Sequence, residues 1–212
     1  MIVLVLNCGS SSIKYQVIDI CDSGHNLLAK GIVERIGLAE GDLVHKPVGK
    51  ENFHLHQPIA DHTTGISLVL EALTHPEHGV IASLDEVKAV GHRVAHGGEF
   101  FADSAVVTET VKEQIRSLFA IAPLHNPANL EGILSIEKVL PSVPQVAVFD
   151  TSFHQSIPAR NYLYALPMEY YDKYRVRKYG FHGTSHSFVS KRAAEILNKP
   201  YEEAKVIVCH LG

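Results

Sequence analysis

A chain of 212 residues, 46% hydrophobic and 20% charged, has the make-up of an ordinary soluble globular protein and the length for one large domain, or one domain and part of another. A net charge of −4 with no dense basic run gives no electrostatic ground for binding nucleic acid, and the apolar run Ile2–Leu6 is far too short for a signal peptide or a membrane span. Cys8, Cys21 and Cys209 are odd in number, widely spaced and without a C-x-x-C pair, so they read as reduced thiols of a cytoplasmic protein.

In chain order, Ile2–Leu6 reads as a buried strand. It breaks into Asn7-Cys8-Gly9-Ser10-Ser11-Ser12 and resumes at Lys14, where Tyr15 and Val17 alternate with Gln16 and Ile18. The pattern is strand, small polar turn, strand. Three hydroxyls and exposed backbone N–H groups converge in the turn and Lys14 adds a cation, a concavity suited to an anion such as a nucleotide phosphate. A ligand-free serine-rich hairpin accounts for the same residues. A Walker loop does not, because G-x-x-x-x-G-K-[ST] is absent and a strand follows where a helix should.

Leu27–Arg35 and residues 43–58 read as further strands, the latter pair joined by the polar turn Gly49-Lys50-Glu51-Asn52. Asp61 begins a helix whose Ile66, Val69, Leu70 and Leu73 recur at helical spacing until Pro76. Val87–Val94 is a short apolar strand running into His96-Gly97-Gly98. A helix is expected from Thr110, with Glu113 completing a capping box, and another from Asn126-Pro127, a cap and first-turn proline, through Leu140. Pro144–Asp150 is a buried strand ending in a carboxylate, and strands followed by alternating helix and strand argue a mixed α/β domain over residues 1–150. Beyond it, Tyr, Pro and Arg dominate 157–177, an irregular connector. Tyr179–His186 then opens a helix that Thr184 or Ser185 caps, and Lys205–His210 reads as a new strand just before the last residue, Gly212. Residues 151–212 are thus expected to hold a connector and the first elements of an incomplete second domain.

Fourteen histidines invite a metal reading, but there is no H-E-x-x-H, and His182 and His186, four apart, have no matching carboxylate or thiol nearby. Four positions carry more. The serine turn, Arg93, Asp150 and His182 each lie at a strand end or a helix start, where ligands bind in open α/β sheets. Arg93, among Gly91, Gly97 and Gly98, offers a guanidinium fork that matches a carboxylate or phosphate, or else a surface ion pair. Asp150 needs a cation, a magnesium ion or several donors as partner, or else caps the turn that follows it. His182, and His125 with the same ambiguity, would donate to a phosphoryl oxygen or be ordinary half-buried histidines.

The strings Asn7-Cys8-Gly9-Ser10-Ser11-Ser12-Ile13-Lys14 and Gly91-His92-Arg93-Val94-Ala95-His96-Gly97-Gly98-Glu99 resemble the two signatures of the acetate kinase family (acetokinases, which include propionate kinases). Ala122–Pro127, Val148–His154 and Tyr179–His186 match it as well, in order along the whole chain. The resemblance implies a fold of the sugar kinase/Hsp70/actin type (ribonuclease H-like), with a mixed sheet and the start of a second similar domain. It implies reversible transfer of the γ-phosphoryl of ATP to a short carboxylate with Mg²⁺. Asn7, Ser10, Ser12 and Lys14 would organise the phosphates, supported by His125 and His210. Arg93 would hold the carboxylate and the transferring phosphoryl, Asp150 would orient that arginine or bind Mg²⁺ with Asn7, and His182 would donate to the equatorial oxygens. Ala95, Leu124 and Phe181 would line the pocket for the acid's alkyl group. Family members specialised for acetate commonly carry valine where this chain has Ala95, so propionate should be accepted well. The family is roughly twice this length, and its second half would hold a further arginine, a magnesium-binding glutamate and most of a homodimer interface. The 212 residues alone are therefore expected not to turn over efficiently. The rival class is a half-length protein that binds a phosphorylated ligand or a partner without catalysis.

Overall fold

The computed structural model describes residues 1–211, and the expectation that falls on Gly212 lies outside the described residues. Period-two alternation organises the N-terminal strands. In β1 (Ile2–Cys8), β2 (Ser12–Cys21), β3 (Gly24–Glu34) and β4 (Gly41–Pro47), the residues Leu4, Leu6, Cys8, Ile13, Tyr15, Val17, Ala29, Val33 and Leu43 are buried on one face. With β5 (Phe53–Gln57), each of these strands pairs antiparallel with the next in sequence. The sheet then extends past β1 through β6 (Val87–Val94), which is parallel to it, to β8 (Gln145–Phe149) and the short β7 (Ala105–Val106), giving the order β5-β4-β3-β2-β1-β6-β8-β7.

The helices α1 (His62–Thr74) and α3 (Asn126–Val139) pack on the buried face and on one another, with α2 (Glu109–Ser117) against α3. Their Ile66, Val69, Leu70, Leu73 and Ile136 close the core over the strands. Each such side chain contributes about 1.5–3 kcal/mol when removed from water. Asp61 caps α1, accepting from Thr64 N–H at 2.7 Å, as its residue type and place suggest.

The described residues form two compact units. One holds Met1–Val94 and Ala105–Val148, with the sheet and α1–α3; the other holds Ala95–Ser104 together with residues 149–211. The second unit contains a 3₁₀ turn at Ser152–Ser156, then α4 (Ala159–Tyr162), α5 (Met168–Tyr174) and α6 (Gly183–Ile196). Ala95–Ser104 joins it because Phe101 stacks on Phe149 at 4.0 Å and Gly97 N–H donates to Thr151 Oγ1 at 3.0 Å. No helix among the described residues is long and apolar enough to cross a membrane.

Several local expectations are corrected. The cap of α2 is Thr108, whose extended backbone leaves its hydroxyl free to accept from Val111 N–H; Thr110 lies inside the first turn. Asn126 is not a cap but a buried residue of α3, and His125 occupies the cap position without a side-chain cap bond. Neither Thr184 nor Ser185 caps α6: that place falls to His182, and Gly183 N–H bonds to the Asp150 carbonyl at 2.8 Å. The 157–177 connector contains two short helices. Lys205–His210 forms no strand among the described residues, because an apolar run becomes a strand only when a neighbouring strand pairs with it.

Candidate functional site

The serine turn is the hairpin between β1 and β2. Cys8 and Ile13 are its last paired residues, and Gly9 N–H bonds to the Ser12 carbonyl at 2.8 Å. Two helices support it from the core side. His62 of α1 donates from Nε2 to the Gly9 carbonyl at 2.7 Å, and Asn129 of α3 donates from Nδ2 to the Cys8 carbonyl at 2.7 Å. Gly132 of α3 lies so close that a Cβ there would overlap Cys8 Sγ. Sequence reasoning missed all three, since their partners are 53 and 121 positions away for His62 and Asn129. One signal was present: a glycine inside a helix costs about 1 kcal/mol relative to alanine and so points to a close approach. Held this way, the turn leaves Ser10 exposed and Ser12 half-exposed.

Asn7 and Lys14 are register partners at the start of that turn, on the sheet face opposite the core. Arg93 of β6 reaches the same face and donates from NH1 to Asn7 Oδ1 at 3.3 Å. The three line a cavity of about 530 Å³ with Val5, Gln16 and Lys30 among its other walls. Lys46 adds a fourth cation, and none of the described residues that line the cavity is a carboxylate. Such a site attracts anions and discriminates against cations. Leu124, 79% exposed, and His125 lie at the N-terminal end of α3, outside this lining.

The second unit carries the other expected residues. Asp150 is buried, and its carbonyl is fixed by Gly183, where a Cβ would overlap it. The exposed His182 holds a left-handed backbone, φ 52°, unusual for a residue with a side chain. Its ring stacks on that of His210 at 4.1 Å, and His210 Nδ1 is hydrogen-bonded to Ser185 Oγ at 3.0 Å. Ala95 is buried and Phe181 partly exposed. Glu99 pairs with Arg177, whose guanidinium lies over the Tyr162 ring at 3.5 Å. Among the described residues no group of three or more His, Cys, Asp or Glu side chains is arranged to hold a metal ion.

Two buried histidines set an acid limit. Burial pushes His92 down to about 4, against the opposing Gln145 side chain, and burial with the Arg177 charge pushes His96 down to about 4. Both are depressed, so the unfolded chain binds more protons between pH 4 and the ordinary histidine value near 6.5. Stability is therefore full above about pH 6.5 and falls as the pH drops towards 4, by about 3 kcal/mol for His92. Denaturant midpoints measured from pH 7 to 4.5 check this; a flat profile would overturn it.

A family model described as the acetokinase family matches residues 2–212. The chain is 54% identical over 212 residues to an acetate kinase of Desulfitobacterium hafniense and 55% identical to that of Heliobacterium modesticaldum, covering all of this chain and 53% of each relative. Among solved structures it is similar to the Porphyromonas gingivalis acetate kinase (TM-score 0.89, 46% identity, 95% of this chain and 50% of that one). It is also similar to a propionate kinase from Francisella tularensis (TM-score 0.85, 38% identity, 93% and 49%). The chain thus spans about half the length of the curated relatives it matches.

Proposed function

The chain belongs to the acetokinase family, and from that premise we propose that the protein carrying it transfers the γ-phosphoryl of ATP to acetate and propionate, giving an acyl phosphate and ADP. The observation that supports this most is the cation-lined cavity where Asn7, Lys14 and Arg93 converge with Lys30 and Lys46. A carboxylate oxygen attacks the γ-phosphorus as the bond to the β-phosphate oxygen breaks, and ADP leaves with that electron pair. The nucleophile is already ionised at neutral pH, so no general base is needed and positioning with charge neutralisation carries the reaction.

In this reading Asn7, Ser10, Ser12 and Lys14 hold the phosphates, with His125 and His210 in support. Arg93 takes the acid's carboxylate and the moving phosphoryl, since its fork donates to two oxygens at once. His182 donates to the equatorial oxygens. Mg²⁺ takes hard oxygen donors of the kind that the Asp150 carboxylate, the Asn7 amide and the nucleotide phosphates each carry, and would neutralise charge on the last of these. Ala95, Leu124 and Phe181 bound the alkyl pocket. A cytoplasmic homodimer is the proposed setting.

The test is steady-state ADP formation by the full-length protein with acetate and with propionate. With Ala95 leaving room for a further methylene, kcat/KM for propionate equals or exceeds that for acetate, and Ala95→Val lowers the propionate-to-acetate ratio about 10-fold. A propionate value well below acetate that Ala95→Val leaves unchanged would overturn the substrate assignment. Anion binding without turnover on any acid would replace the kinase by a non-catalytic binding protein.

A further inference from the structure

We propose that His96 is a positioning residue that sets the depth of the alkyl pocket, acting through the ring of Phe181. The inference rests on the preceding reading, in which Ala95 and Phe181 bound that pocket. His96 is only 2% exposed and meets the rings of Phe181 and Tyr179 edge to face, at 5.4 Å and 4.4 Å between centroids. Its Nδ1 accepts from Gly98 N–H at 2.9 Å, which places the ring proton on Nε2.

Both sides of this wedge are fixed. On one side Gly97 N–H is held by Thr151, the Gly98 carbonyl accepts from Gln155 Nε2 at 2.7 Å, and a Cβ at Gly97 would press on the Phe149 ring. On the other, Arg177 lies over the rings of Tyr162 and Tyr179 while paired with Glu99. Phe181 itself is 45% exposed, so the support it has from His96 bears directly on where its ring rests. It also precedes His182, whose left-handed backbone restricts local adjustment. With these neighbours held by hydrogen bonds and ring contacts, the volume at position 96 is what the Phe181 ring can follow. A smaller side chain lets it sink and deepens the pocket; a larger one drives it outward.

A purely structural histidine would make a different prediction: its loss would lower the rate for every acid alike. The experiment compares kcat/KM for acetate, propionate and butyrate in the full-length protein. His96→Asn keeps an acceptor near the Gly98 amide but removes the ring, and is expected to raise the butyrate-to-acetate ratio about 10-fold while KM for ATP stays within two-fold. His96→Phe adds bulk and is expected to shift the ratio the other way. Either shift, in a variant whose circular dichroism matches wild type, supports the proposal, so His96→Phe decides if His96→Asn fails to fold. Proportionate losses on all three acids in a folded variant overturn it. A wild-type protein that phosphorylates none of the acids overturns the kinase reading, and this inference with it.

Discussion

If the proposed kinase reading holds, Arg93→Ala in the full-length protein is expected to lower kcat for acyl phosphate formation by about 10³-fold, about 4 kcal/mol, while ATP affinity stays within a few-fold of wild type. The asymmetry follows from where the residue stands. Lys14 and Lys30 line the same cavity and retain charge for the phosphates. A planar fork able to grip a carboxylate and a moving phosphoryl together is lost with Arg93. Arg93→Lys restores the charge without the fork and is expected to recover only a small part of the rate. Single-turnover kinetics with nucleotide binding measured in parallel checks this, and undiminished turnover would remove Arg93 from the mechanism.

Gly31→Ala destabilises the protein by at least about 3 kcal/mol, enough to prevent folding of a marginal domain. Tyr15, Gly31 and His45 are register partners on three neighbouring strands. Tyr15 donates its hydroxyl to His45 Nδ1 at 2.7 Å, and His45 in turn donates from Nε2 to the His78 carbonyl at 3.1 Å. The phenol spans the intervening strand because Gly31 has no side chain. A Cβ there would overlap the tip of the Tyr15 ring and the Val44 carbonyl at once. Displacing the ring leaves both the phenol and the imidazole buried without their mutual bond, a penalty of about 1–3 kcal/mol each, with overpacking added. Chemical denaturation checks it: an unchanged midpoint for the alanine variant would show that the ring has another way to lie.

Where neighbours in sequence are also neighbours in space, the chain was legible. The alternation around Tyr15 and Val17 defines the hairpin strands, Asp61 announces α1, and the run to Val94 delivers Arg93 to the sheet. Features that depend on distant partners were not. His62 and Asn129 secure the serine turn from separate helices, and the helix-interior Gly132 is the one local hint of that close approach. The short helices between 157 and 177 lie in a region where Arg177 is inserted between tyrosines, a tertiary stabilisation that local propensity does not contain. An apolar run at 205–210 looked like a strand because a strand pattern says nothing about the presence of a partner.

The left-handed backbone at His182 bears on how this site can change over time. At φ 52° asparagine, aspartate and glycine are tolerated better than other residues, whereas a β-branched side chain adds strain of about 1–3 kcal/mol. Alanine scanning there therefore measures two losses together, the imidazole and the ease of the turn, whereas asparagine isolates the first. Single-step drift at this codon is funnelled towards asparagine and aspartate, and of the two only the neutral amide still offers a hydrogen-bond donor to an anion.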